Sequence, residues 1–290
     1  MGRSDGTVVK DIPAFEKIIP HLMNKRYDAT NYGKFDVDLD KLQALLRQLR
    51  LDGHKVGMMD AVITAFALLV RKMPEINRFV ANKKVYQRNH LCVSFALIKR
   101  QDDGQILETA IKVHIEPEDD LFSISKKIRN LIKENEQPQD KNALDRFVDG
   151  LMGLPLLPGF LVGTIKWMDR RGILPKKIIE LSPFHTSMFI SNLASIQMNY
   201  IYHHIYEFGT TSLFIAMGVP RRVYDAKTGE TKRVMTLGLA LDERICMGAV
   251  WAKALYEFRR NLEFPERLLG GMVPEVEESA EEQEMASAVI

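Results

Sequence analysis

With 290 residues, 46% of them apolar and 27% charged, the chain has the make-up of a folded globular protein. That excludes a disordered, collagenous or disulfide-scaffold chain, and the length allows one large domain with a substantial core. The net charge is +2, yet the 16 residues from Glu275 onward hold six glutamates and no lysine or arginine, leaving 40 basic against 32 acidic residues elsewhere. A basic body of that kind favours phosphate-bearing ligands, nucleic acid or an acidic membrane surface.

The first residues, Met1-Gly2-Arg3-Ser4-Asp5-Gly6, have no apolar stretch behind their basic start. No signal peptide is expected, and residues 1–9 read as a flexible arm. Residues 11–24 place Ile12, Phe15, Ile18, Ile19, Leu22 and Met23 at helical spacing. Phe35 to Asp38 reads as a short strand. Asp40 can cap a helix whose apolar positions are Leu42, Leu45, Leu46 and Leu49, with Lys41, Arg47 and Arg50 left to face water. Asp60 is a second candidate cap, ahead of the run Ala61 to Val70. A helix apolar around its whole circumference must be buried on all sides. Pro74 ends it. Lys84–Tyr86, His90–Leu97 and Ile106–Ile115 read as three strands. Leu121 to Lys133 is helical, with Ile124, Ile128, Leu131 and Ile132 on one side.

Residues 143–181 have the look of an apolar insertion, and residues 150–165 within it carry no charge. A membrane-spanning helix needs about 20 apolar residues; sixteen residues interrupted by two prolines and four glycines will not span. Lys166, Trp167, Arg170, Arg171, Lys176 and Lys177 follow. Three readings are open for 150–171: packing within or between subunits, a lid or channel for an apolar substrate, and peripheral contact with a membrane. Strands return at Met188–Ser191 and Ser212–Met217. Asp225 to Glu230 turns between two more strands, the second ending at Leu241, and Val250 to Leu262 marks a closing helix stopped by Pro265. Residues 271–290 read as an acidic, disordered tail. Cys92 and Cys246 lie in apolar strand-like surroundings with no CxxC pair, which suits a reducing cytoplasm.

Two motifs resemble the acyltransferase core of 2-oxoacid dehydrogenase complexes, within the chloramphenicol acetyltransferase-like superfamily. Ile190-Ser191-Asn192-Leu193-Ala194 is similar to the family's Ile-Ser-Asn-Leu-Gly. Asp242-Glu243-Arg244 through Gly248 resembles its Asp-His-Arg-x-x-Asp-Gly, with Glu243 in the place of the catalytic histidine and Met247 in that of the second aspartate. Asn261 to Leu269 resembles the family's helix ending, and Pro74-Glu75-Ile76-Asn77 adds weaker support. The resemblance covers residues 10–270 and implies an α/β fold: a two-layer sandwich of a mixed sheet with helices on one face. No lipoyl domain precedes it, so a free-standing relative is expected.

The resemblance also implies a homotrimer, or a higher assembly of trimers, with sites between subunits and coenzyme A or acyl-CoA as co-substrate. The acyl donor would be a small molecule, and no nucleic-acid partner or metal is expected. Ser191 matches the hydroxyl that stabilises the oxyanion; Asn192, Asp242, Arg244 and Gly248 match the frame of the two motifs. A carboxylate is a poor base for a thiol unless burial raises it, so Glu243 competes for that role with His203 and His204, a dozen residues after Ser191. If residues 242–244 are extended, Asp242 and Arg244 share one side and leave Glu243 on the other. His185 is a weaker candidate. A metal held by His203, His204 and Glu207 has no recognised ligand spacing, and Cys246 occupies an apolar slot of its motif. The first expectation is a CoA-dependent acyltransferase acting on something other than a lipoyl domain. The alternatives are a catalytically inactive trimeric scaffold and a membrane-peripheral protein.

Overall fold

The computed structural model describes residues 3–100, 106–135, 143–153, 158–226 and 228–270. In chain order these form β1 (Gly6–Val8), α1 (Ala14–Leu22), β2 (Thr30–Asp38), α2 (Asp40–Leu51), α3 (Met58–Lys72), β3 (Arg78–Ala81) and β4 (Lys84–Arg88). Then come β5 (Leu91–Arg100), β6 (Ile106–Ile115), α4 (Leu121–Glu134), α5 (Ala143–Met152), α6 (Pro158–Arg171) and α7 (Lys176–Leu181). The chain continues through β7 (Met188–Asn192), β8 (Leu213–Met217), β9 (Arg221–Asp225), β10 (Glu230–Asp242) and α8 (Gly248–Glu263). Residues 271–290, read above as an acidic tail, lie outside the described residues.

The main sheet runs β2-β10-β8-β7-β5-β6, with β9 folded back on β10. The strands β5, β7 and β8 are parallel neighbours, and the remaining pairings are antiparallel, so the sheet is mixed. A small antiparallel sheet, β1-β4-β3, stands beside it.

Alternation along the strands sorts the core. Met188 and Ile190, Leu213, Ile215 and Met217, and Met235, Leu237, Leu239 and Leu241 join one apolar cluster with α2, α3, α4 and α8. Within α3, every residue from Asp60 to Ala67 is buried, as is Leu69; a helix apolar all round has been placed between the sheet and its helical neighbours. Asp60 lies inside the first turn of α3. Its carboxylate accepts from the Gly57 amide at 2.8 Å and the Ser125 hydroxyl at 2.7 Å.

The opposite face of the sheet has a thinner cover. Phe189, Phe214 and Ala240 point that way and pack with Ile205, from the irregular stretch 198–209. That stretch crosses the strands closely. A side chain at Gly238 would meet the Ile201 carbonyl oxygen at 2.2 Å, and the His203 ring stacks on the Phe214 ring with centres 3.9 Å apart and planes nearly parallel. β10 is therefore apolar on both faces at its centre, the pattern of a strand covered on both sides.

One expectation needs correction. Residues 3–9 are not an arm: Gly6–Val8 pairs with β4, and Arg3 and Asp5 are buried in an ion pair of 2.8 Å. The pattern missed them because three residues are too short a strand to show a period. Residues 143–181, expected as an apolar insertion, contribute α5, α6 and α7, whose exposed apolar residues include Met152, Phe160 and Trp167. Among the described residues no helix is long and apolar enough to cross a membrane.

The close crossing at Gly238 is directly testable. Gly238→Val is expected to lift 198–209 off the sheet and cost about 1–3 kcal/mol in denaturant unfolding, the range for an overpacked site. Gly33→Val, on the neighbouring strand with open space around it, is the control and should cost far less.

Candidate active site

The three parallel strands set one end of the site. Ser191 is the fourth residue of β7 and pairs with Ala216 of β8. Strand alternation turns its side chain to the same face as Phe189 and Phe214, under the crossing stretch 198–209. Among the described residues its hydroxyl makes no hydrogen bond, and the residue is half-buried. Asn192 turns the other way. With Met217, Leu46, Arg47, Arg50 and Arg233 it lines a cleft of about 670 Å³ at the carboxyl ends of β7 and β8. A smaller hollow of about 360 Å³ shares Arg47 and Arg233 and adds Arg222, with Asp40 as the acid in its wall. The carboxyl ends of parallel strands are the usual seat of ligands in such sheets, and this one is markedly cationic.

The other motif sits at the opposite end. Asp242 is fully buried and bound by two arginines. Arg244 bends back within a single helical turn, Glu243–Ile245, and grips both oxygens of Asp242 at 2.8 Å through Nε and Nη2. Arg26 approaches the same carboxylate at 3.3 Å. The remaining donors of Arg26 go to the carbonyls of Tyr206 and Gly209, and its amide N–H goes to Glu207. One carboxylate thus joins the end of β10, the loop before β2 and the end of the crossing stretch. Residues 242–244 are not extended, yet Glu243 still points away from the pair, half-buried, and accepts from the Asn31 side chain at 3.0 Å. Met247 is exposed, and Gly248 is the first residue of α8.

Ser191 and Glu243 do not meet within the chain. Ser191 is level with Gly238, through Ala216, and Glu243 lies five residues farther along. At a strand rise of about 3.4 Å per residue the two are roughly 15 Å or more apart. His203 is much nearer Ser191. It lies over Phe214, two residues along β8 from Ala216, on the same face. Its Nδ1 is 2.8 Å from the His204 carbonyl, so that nitrogen carries the proton and Nε2 presents its lone pair. Burial pushes the His203 pKa down, against the carbonyl hydrogen bond that favours the proton, and the ring is neutral at pH 7. His204 is exposed and stacks on His203 at 4.6 Å.

Other candidates are engaged elsewhere. His185 has no exposure at all; Ser182 Oγ lies 2.8 Å from its Nδ1 and Asp169 Oδ1 lies 3.1 Å from its Nε2. The connectivity is that of a serine–histidine–aspartate relay. However, Arg3 already holds Asp169 at 2.8 Å, and the network ties β1 to α6. Glu207 is drawn to the Arg26 amide, and among the described residues no group of three His, Cys, Asp or Glu side chains is set to hold a metal. Burial raises the Cys246 thiol well above its ordinary pKa, which makes it inert. Sequence reasoning missed Arg26 and the arginine cleft. Arg26 sits in a loop without periodicity, and Arg222 and Arg233 reach Arg47 only through the sheet.

Two outcomes follow for stability. Asp242→Asn leaves two buried guanidinium groups facing a neutral amide, and should cost about 3–5 kcal/mol in denaturant unfolding. The second is pH dependence. Burial lowers the pKa of His185, and lowers that of His90 to about 4, so both are neutral in the fold while the unfolded chain takes up protons near 6.5. Burial raises Asp169, but the hydrogen bond from His185 and the charge and hydrogen bond of Arg3 outweigh that and hold it at about 2. Depressed histidines stabilise fully above their unfolded pKa, and a depressed aspartate does so above about 3.9. The melting temperature should therefore be level above pH ~6.5, fall towards pH 4, and fall again as pH drops through the Asp169 range; a thermal melt series across pH checks this.

No family model and no curated protein matches the sequence. Solved structures do. A probable dihydrolipoamide acetyltransferase from Listeria monocytogenes aligns over 88% of this chain and 95% of its own at 16% identity, with a TM-score of 0.55. The cubic core of a pyruvate dehydrogenase multienzyme complex aligns over 90% and 94% at 14% identity, TM-score 0.54. A chloramphenicol acetyltransferase aligns over 89% and 98% at 10% identity, TM-score 0.52. The chain therefore has the chloramphenicol acetyltransferase-like fold shared with dihydrolipoamide acyltransferase cores.

Proposed function

We propose that the protein is a CoA-dependent acyltransferase that works as a homotrimer. The observation that carries this reading is the unbonded hydroxyl of Ser191 at the carboxyl end of the parallel strands; on the other face of that same sheet end, Asn192 lines a cleft with Arg47, Arg50 and Arg233. Guanidinium groups suit the phosphates of CoA by charge and by geometry. A thioester carbonyl placed over β7 would receive the Ser191 O–H as its oxygen becomes an oxyanion, a contact commonly worth ~10²–10³ in rate. His203 Nε2, with its lone pair free, takes the proton from the incoming nucleophile and returns it to the sulfur of CoA as the oxyanion collapses and the thioester C–S bond breaks. It lies roughly 7–10 Å from Ser191, by two strand residues plus one strand spacing, which leaves room for the reacting atoms between them. Glu243 reaches a Ser191 only from a second copy of the chain.

Assembly has its own support. Tyr27, Tyr32 and Tyr202 are at least half exposed, Tyr32 and Tyr202 being in contact near Glu243, and α1 exposes Phe15, Ile18 and Leu22. Surface of that kind marks a contact between proteins, and the likeness to a cubic core favours copies of the same chain. A trimer without catalysis is the second reading, favoured by Glu243 and Met247 in place of charged, titrating partners.

Isothermal titration with CoA and acetyl-CoA separates the two. Acyl transfer requires binding that weakens at least tenfold in Arg47→Ala/Arg233→Ala and falls with salt; a trimer in sedimentation with no binding at millimolar ligand leaves the scaffold. On thioester turnover, His203→Gln should cost ~10²–10⁴, and the wild-type rate should hold below pH 6.5 because the His203 pKa is depressed. An equal loss in Glu243→Gln alone, with His203→Gln unaffected, would assign the base to Glu243 across a subunit boundary.

A further inference from the structure

The helices α5, α6 and α7 border a further hollow, open to solvent on one side, at the other end of β7 from Ser191. It measures about 320 Å³, within the range of small-ligand sites. Phe147 and Met152 from α5, Val162 and Ile165 from α6, and Ile178 and Leu181 from α7 form its walls. Phe184 and Phe208, with ring centres 6.1 Å apart, contribute from the core side. Ser182 also borders it, but its hydroxyl faces His185 and accepts from the Phe184 amide, so it offers the hollow no free partner. The one ionised group in the lining is Lys166, which is exposed and makes no ion pair or hydrogen bond among the described residues. Among the described residues no acid lines the hollow.

We propose that this hollow binds a single fatty-acid chain, the alkyl part between α5, α6 and α7 and the carboxylate on Lys166. Three helices offering apolar side chains leave nothing for a polar body to bond. One unpaired ammonium at the rim selects a negative head. The site is separate from the acyl-transfer site, since its residues gather at the amino ends of β7 and β8 while Ser191 and the arginine cleft lie at their carboxyl ends.

Isothermal titration of the full chain with saturated fatty acids from eight to sixteen carbons tests it. Expected is saturable one-to-one binding whose affinity rises about fourfold per added methylene and levels off once the hollow is full. Ile165→Trp, which fills the space, should weaken dodecanoate at least tenfold. Lys166→Gln should weaken dodecanoate severalfold and leave dodecanol unchanged, and as a surface change it guards against misfolding of the first variant. CoA titration of both variants should match wild type, so that failure here is separable from failure at the arginine cleft. Absence of saturable binding below the concentration at which the acids form micelles overturns the proposal, as does equal affinity in Ile165→Trp. Co-sedimentation with phosphatidylglycerol vesicles, with no binding of monomeric acids, assigns the helices to a bilayer surface instead. A change of oligomeric state in Ile165→Trp, without fatty-acid binding by wild type, assigns them to a subunit contact.

Discussion

The buried carboxylate of Asp242 is the point on which the site depends. It has no solvent to share its charge, so two guanidinium groups must do so, and each brings a different part of the chain. Arg244 closes the turn after β10. Arg26 reaches across from the loop ahead of β2 and holds the carbonyls at the end of the crossing stretch. A buried ion pair is seldom a net source of stability, because desolvation offsets most of the attraction. Its effect here is positional: a pair that must be satisfied permits one arrangement of β10, the loop and residues 206–209, and so fixes what covers the outer face of the sheet.

That cover decides the chemistry. Because 198–209 is pinned at Arg26 and pressed on Gly238, His203 lies flat on Phe214 with Nε2 unbonded. A neutral imidazole then stands on the face that carries Ser191, while Glu243 is held by Asn31 at the far end. The separation of Ser191 from Glu243 within one chain has the same origin. The two belong to opposite ends of antiparallel and parallel strands, and no loop motion brings ends of a sheet together. Chemistry that uses both needs a second copy of the chain.

The insertion shows a different balance. Helix α6 buries only Asp169 fully, which Arg3 and His185 hold, while Phe160 and Trp167 stay in solvent. Helix α6 is thus attached to the body through a polar network, while α7 buries Ile179, and the helices leave apolar faces around a hollow. That is the reverse of ordinary packing, where the apolar side faces the core and polar groups face water.

Much of the fold was legible in the sequence because it rests on local periodicity. The run Ala61–Val70 announced a fully buried helix, the alternation from Ile106 announced a strand, and the two motifs with their spacing announced the architecture. Residues that act at a distance were not legible. Arg26, the partnership of Arg47 with Arg233, the strand at Gly6–Val8 and the engagement of His185 depend on contacts between segments far apart in the chain, and no periodicity records those. The sequence by itself determined the longer periodic elements, the two-layer architecture and the identity of the groups at Ser191 and Glu243. Only the tertiary structure decided that these two lie at opposite ends of the sheet and that His203 shares a face with Ser191. The reason is that strand order and register, not sequence separation, set which side chains share a surface.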